Sequence, residues 1–265
     1  LISTHQGIID MSSYEKIEQI LRAAKKNNHV ALVPFFTAGY PYAESFQQAL
    51  IDICKVGDVV EIGVPFSDPM ADGMTIQRSS HIALKNGVHL KWIFDQIEMV
   101  ADELQAPMVM MSYLNPLLAY GYEALAKRAQ EVGIGCFIVP DLPLEECHEL
   151  QAALESRKLG LIQLITPTSS VDRMEKLCAA SKGFIYAVTM TGITGSDKGL
   201  SADLSNYLEQ ISKISKLPVC AGFGVRSAED VRMIGQHATG AIIGSALVEA
   251  MEREEDLIGF LERLR

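Results

Sequence analysis

Two kinds of apolar pattern alternate along the chain. Short runs rich in β-branched residues, such as HVALVPFFT and GFIYAVT, are apolar almost throughout. Longer segments, such as SFQQALIDICKVG, HLKWIFDQIEMVADEL, GYEALAKRAQEVG and VDRMEKLCAASKG, repeat their apolar residues at i, i+3, i+4 and i+7, and several end in Gly. The first kind predicts eight strands, at 29–37, 58–64, 107–113, 135–140, 159–166, 183–189, 217–223 and 240–245. The second kind predicts helices between them. Strands that are apolar on both faces belong to parallel sheets covered on both sides.

Eight strand–helix units in 265 residues fit a closed (β/α)8 barrel better than an open doubly wound sheet. The open alternative calls for Gly-x-Gly-x-x-Gly after the first strand, where the chain has TAGYP instead. No linker, low-complexity tract or strong repeat interrupts the alternation, so the α/β fold expected is a single (β/α)8 TIM barrel spanning 11–265. An amphipathic segment at 13–27 predicts an additional N-terminal helix that covers the barrel bottom. The segment 246–265 predicts one helix closing the outer ring, with its EREED run on a solvated face. Residues 1–10 have no usable periodicity and are expected to be a disordered extension or tag remnant.

Composition narrows the function classes. With 48% hydrophobic and 21% charged residues the chain has an ordinary globular balance and enough apolar material for a large core. A net charge of -10 argues against a nucleic-acid or anionic-membrane surface. No apolar run approaches the roughly 20 residues of a membrane span. Cysteines 54, 136, 147, 178 and 220 are scattered without a Cys-x-x-Cys motif, which reads as reduced thiols in a cytoplasmic protein. The six histidines show no metal-ligand spacing, so neither metal nor cofactor is expected.

Catalytic groups of such barrels lie at the C-terminal strand ends and on the loops that follow. Three glycine-rich loops fall there: TMTGITG after strand six, AGFGV after strand seven and GSA after strand eight. Glycine lets backbone N–H groups approach a ligand closely, and Ser245 opens a helix whose N-terminus favours an anion. Each loop alone reads equally as a tight turn, but together they predict a phosphate site. Glu61 sits in the apolar run DVVEIGV, where desolvation raises a carboxyl pKa into the range of proton exchange. A buried structural Glu is the competing reading. Asp72 stands before the helical segment GMTIQRSSHIALKNG and reads equally as its N-cap, while Asp68 before Pro69 reads as a turn residue. Spacing alone does not choose among these acids. Imine chemistry is disfavoured, because Lys182 and Lys216 precede their strands and Lys198 lies in a hydrophilic loop.

Six blocks follow one another in order: EIGVPFSDPMADG at 61–73, Tyr113-Leu-Asn115-Pro116, VPDLP at 139–143, TGITG at 191–195, GFGV at 222–225 and GSALV at 244–248. They resemble the tryptophan synthase α subunit family from about Met11 to the C-terminus. The resemblance implies a barrel lyase that cleaves indole-3-glycerol phosphate to indole and glyceraldehyde 3-phosphate. It also implies a β subunit that receives the indole within an α2β2 assembly. The family's catalytic acids fall on Glu61, for proton transfer, and Asp72, as acceptor for the indole N–H. Its phosphate-binding positions fall on Gly195, Gly224, Gly244 and Ser245. Its indole pocket falls on Phe35, Met111, Tyr113, Tyr186, Thr194 and Phe223, although Phe35 and Met111 alone read equally as barrel core.

Residues 189–199 are expected to form a lid that orders over bound phosphate. Met190 stands where some relatives carry an arginine in that lid, and Tyr40 where some carry an aspartate. The first departure bears on lid closure and the second on how the barrel mouth is braced. Two other readings stay open at this point: a sugar-phosphate isomerase barrel, and a catalytically silent barrel that only binds a partner.

Overall fold

The computed structural model describes residues 11–188, 202–222 and 224–265. All eight expected strands form: β1 Ala31–Thr37, β2 Val60–Gly63, β3 Met108–Met111, β4 Ile134–Ile138, β5 Gly160–Ile165, β6 Ile185–Val188, β7 Val219–Gly222 and β8 Gly240–Ile243. Each pairs in parallel with the next, and β1 pairs with β8 to close the barrel. The helices are α1 Ser13–Lys26, α2 Phe46–Val56, α3 Met74–Lys85, α4 Leu90–Met99, α5 Leu114–Tyr120 and α6 Tyr122–Glu131. They continue with α7 His148–Glu155, α8 Val171–Ala180, α9 Ala202–Ile214, α10 Ala228–Gly235, α11 Ser245–Glu252 and α12 Leu257–Glu262.

Strand alternation sends every second residue into the barrel. The register sets Phe35 level with Glu61, Glu61 with Val109, and Tyr186 with Leu164 and Cys220. Near the bottom, thiols fill the space that glycines leave. A Cβ on Gly160 would meet Cys136 Sγ at 2.8 Å, and one on Gly240 would meet Cys220 Sγ at 2.9 Å. Bulk and absence of bulk alternate round the ring, which is how a tapered interior reaches close packing.

Helix α1 starts with a capping box, in which Ser12 and Glu15 satisfy each other's backbone N–H groups. It buries Ile17, Leu21 and Ala24. Ile17 lies so close to Gly135 that a Cβ there would meet its Cδ1 at 2.8 Å, which places the helix under the strand entrances. This is the bottom cover that the sequence predicts.

The single C-terminal helix expected over 246–265 is instead two. α11 ends in a Schellman turn, with the Glu254 N–H donating to Met251 O and the Glu255 N–H to Ala250 O. Glu254 occupies the left-handed position at φ 54°, where glycine is usual. The chain then reverses into α12, which buries Phe260 and Leu261 and packs on α2.

Candidate active site

Glu61 is completely buried in β2, and neither carboxylate oxygen has a hydrogen-bond partner among the described residues. Burial first, and then the negative charge of Asp72, pushes its pKa up to about 8. At neutral pH this carboxyl is therefore mostly protonated, and no neighbouring group competes for its proton.

The loop 64–73 brings the second acid over the barrel. Ser80 on α3 grips Phe66 twice, accepting from its N–H at 2.7 Å and donating to its carbonyl at 2.9 Å. The Phe66 ring stacks on Tyr113 with centroids 4.9 Å apart. Tyr113 Oη accepts from the Ala71 N–H at 2.9 Å and donates to Asp72 Oδ2 at 3.0 Å. Asp72 is thus aimed by a phenol that stands where β3 gives way to α5. Burial lifts its pKa to about 6, against the downward pull of the Tyr113 bond.

The competing readings of the loop acids separate here. The N-cap of α3 is Gly73, with no side-chain cap bond, so Asp72 is not the cap. Asp68 is exposed, accepts from Ser67 Oγ at 2.6 Å, and offers its carbonyl to the Met70 N–H at 2.8 Å. It acts as a turn residue.

A cavity of about 560 Å³ opens at the C-terminal strand ends, bounded among the described residues by Asp72, Met111, Leu164, Thr166, Tyr186 and Val188. Phe35, Met111, Tyr113 and Asp72 also share a small adjoining cavity. Four predicted pocket residues, Phe35, Met111, Tyr113 and Tyr186, therefore line cavities that Asp72 borders. The Tyr186 phenol is held well above its ordinary pKa, chiefly by burial and then by Glu61 and Asp72, so it stays a neutral hydroxyl. Phe35 covers Gly63, where a Cβ would meet the ring at 2.6 Å, and reaches to 3.6 Å from a Cβ built on Gly244. Phe35 thus lies between the β2 end that carries Glu61 and the Gly244 turn.

Gly224 takes φ 65° just beyond β7, with no atom of the described residues within 4 Å of where a Cβ would stand. Gly244 is the N-cap of α11 and Ser245 its first residue. Within the first turn of α11 only Leu247 bonds back among the described residues, its N–H donating to Gly244 O at 2.9 Å, and the Gly224 and Gly244 turns leave the neighbouring strands β7 and β8. Thr194, Gly195, Phe223 and the expected lid 189–199 lie outside the described residues, as does the extension 1–10.

Tyr40 is 1% exposed, and its hydroxyl lies beside the ion pair of Arg78 on α3 with Glu252 on α11. Burial and Glu252 raise its pKa. Sequence reading missed Phe66 and Ser80, which hold the loop 64–73 in place. In the sequence Phe66 is only one more aromatic in the block 61–73, and Ser80 only one more hydroxyl in the helical segment GMTIQRSSHIALKNG.

The sequence profile described as tryptophan synthase alpha chain matches residues 21–262. The tryptophan synthase alpha chain of Desulfosudis oleivorans is 41% identical over 248 residues, covering 92% of this chain and 93% of that one. That of Bacillus cereus (strain G9842) is 39% identical over 236 residues, covering 89% and 92%. Among solved structures, Mycobacterium tuberculosis tryptophan synthase superposes with a TM-score of 0.86 at 33% identity, covering 94% of this chain and 96% of that one. Tryptophan synthase subunit alpha from Legionella pneumophila str. Paris gives 0.83 at 32% identity, with coverage of 94% and 96%.

Proposed function

Because the chain belongs to the tryptophan synthase alpha chain family, we propose that its barrel mouth holds indole-3-glycerol phosphate between Glu61 and Asp72. The activity of the chain is that of a carbon–carbon lyase in tryptophan biosynthesis, which cleaves this substrate to indole and glyceraldehyde 3-phosphate. The residue roles follow from the chemistry. Breaking the bond between indole C3 and the glycerol chain requires a proton on C3 and loss of the adjacent hydroxyl proton. The bonding pair then returns to the ring, and the alcohol carbon leaves as an aldehyde.

Glu61, protonated at neutral pH, supplies the proton, and its conjugate base takes the hydroxyl proton, so one carboxyl closes the balance. Asp72, the more acidic of the pair, stays ionised and accepts the ring N–H as positive charge develops there. Phe35, Met111, Tyr113 and Tyr186 wall the indole, with Thr194 and Phe223 assigned beside them. Gly224, Gly244 and Ser245, with Gly195, hold the phosphate through backbone donors, which suits an acidic protein. The observation that carries the reading is the fully buried Glu61 carboxyl beside Asp72, without a hydrogen-bond partner among the described residues.

The test follows indole release from the purified chain. Glu61→Gln keeps the shape but cannot transfer a proton, so cleavage should fall by at least about 10²–10⁴-fold with ligand binding retained. Near-normal turnover by this variant would sink the assignment. The chain is further assigned to an α2β2 assembly with the tryptophan synthase β subunit, in the cytoplasm. Among the described residues, no helix is long and apolar enough to cross a membrane.

A further inference from the structure

The two helices that frame the site are tied to each other by side chains. α3 begins two residues after Asp72, and α11 begins at Ser245 in the proposed phosphate site. Thr75 Oγ1 donates to Glu249 Oε1 at 3.4 Å, and one turn further on Arg78 pairs with Glu252. The partners are three residues apart on each helix, so the contacts stand as adjacent rungs between neighbouring helix faces. The rung nearer the site has a third member. Arg226, two residues beyond Gly224, grips Glu249 at both oxygens, Nη1 to Oε2 at 2.7 Å and Nη2 to Oε1 at 3.0 Å. Its own N–H donates to Asp230 of α10 at 2.9 Å. Glu249 therefore joins the segment leaving β7, the helix leaving β8 and the helix that follows Asp72.

A guanidinium held through two nitrogens fixes direction as well as distance. The Arg226 side chain is 56% accessible, and pairs of such exposure contribute little to folding stability. What this junction supplies is geometry. We propose that Glu249 is a positioning residue for cleavage, setting the separation between the phosphate-binding turns and Asp72. A substrate seated by its phosphate then presents its ring nitrogen to the carboxylate. This rests on the reading of Glu61, Asp72 and the glycine turns as the active site. Loosening the junction leaves the backbone phosphate donors in place but lets Asp72 drift, so it costs turnover more than binding.

The experiment measures kcat and KM for indole-3-glycerol phosphate, with thermal melting, on variants of the full chain. Glu249→Ala should lower kcat about 10-fold while KM changes by less than about twofold. Thr75→Val should lower kcat less, and the double variant should be no slower than Glu249→Ala alone, since Thr75 acts through Glu249. Glu249→Gln keeps an acceptor for both neighbours and should recover most of the lost turnover. Lys91→Ala, which removes an exposed ion pair with Asp95 on α4, should leave kcat unchanged. A Glu249→Ala chain that melts earlier but keeps its kcat overturns the proposal, as do additive losses in the double variant. Should Glu249→Ala not fold, Thr75→Val and Arg226→Ala decide, and unchanged kcat in both overturns it. Glu61→Gln run alongside separates the two readings. Turnover surviving there defeats the site assignment, whereas a dead Glu61→Gln beside an unaffected Glu249→Ala defeats only the role of Glu249.

Discussion

A buried carboxyl without a hydrogen-bond partner keeps its proton until a substrate or a rising pH removes it, and among the described residues Glu61 has none. In the proposed mechanism Asp72 is ionised and Glu61 protonated when cleavage starts. The kcat/KM of the free chain should therefore rise as Asp72 loses its proton near pH 6 and fall as Glu61 loses its own near pH 8. Each charge acts on the other, so the two limbs belong to the pair. Tyr113 donates to the charged form of Asp72, and removing that bond raises the Asp72 pKa. Tyr113→Phe should accordingly move the acid limb to higher pH and narrow the bell. An acid limb that stays put in a pH–rate profile would show that Tyr113 does not tune Asp72. The chain's letters reveal Glu61 as an acid among apolar neighbours, but not its lack of partners. They leave Asp72 indistinguishable from a helix cap, because capping is decided by where a carboxylate turns. Here it turns to a tyrosine forty-one residues away in sequence.

Strand and helix identities were legible because continuous apolar runs and 3.6-residue periodicity are different signals. Strand ends were not, since an apolar residue such as Val139 stays buried beyond the end of its strand. The break between α11 and α12 was hidden for another reason. Its left-handed residue is Glu254, and nothing in EREED resembles the glycine that normally marks a Schellman turn. That position makes a prediction about stability. A non-glycine residue at φ 54° carries a steric cost, so Glu254→Gly should stabilise the chain by about 1 kcal/mol. Thermal melts should shift upward by roughly 2–4 °C, with indole release unchanged. A downward shift would mean that the Tyr42–Glu254 contact outweighs the strain.

On the molecular scale, the barrel mouth carries two exposed methionines, Met70 at 89% and Met74 at 86%, on either side of Asp72. Large apolar side chains this open mark a contact surface, and Met adapts its shape to a partner. A β subunit docked there would bear on the same loop that Ser80, Phe66 and Tyr113 hold in place. Partner binding should therefore raise the cleavage rate, and substrate-like ligands should tighten the complex reciprocally. Titrating the β subunit against indole release checks this, with Asp68→Ala as the comparison. A rate that stays flat at saturating partner would show that loop 64–73 does not transmit docking. The loop's location at the mouth is readable from strand order. Its exposure is not, because burial depends on what packs above it.

Pairing of β1 with β8 has a consequence for the life of the chain during synthesis. Ala31 and Gly240 come from opposite ends of the sequence, and their pairing is the step that seals the sheet. A finished ring presents no unpaired strand edge on which another chain could nucleate a β-rich aggregate. Until the ribosome has delivered the eighth strand, however, both margins of the growing sheet stay open and sticky. The molecule is thus most vulnerable to aggregation just before completion, and its protection arrives all at once.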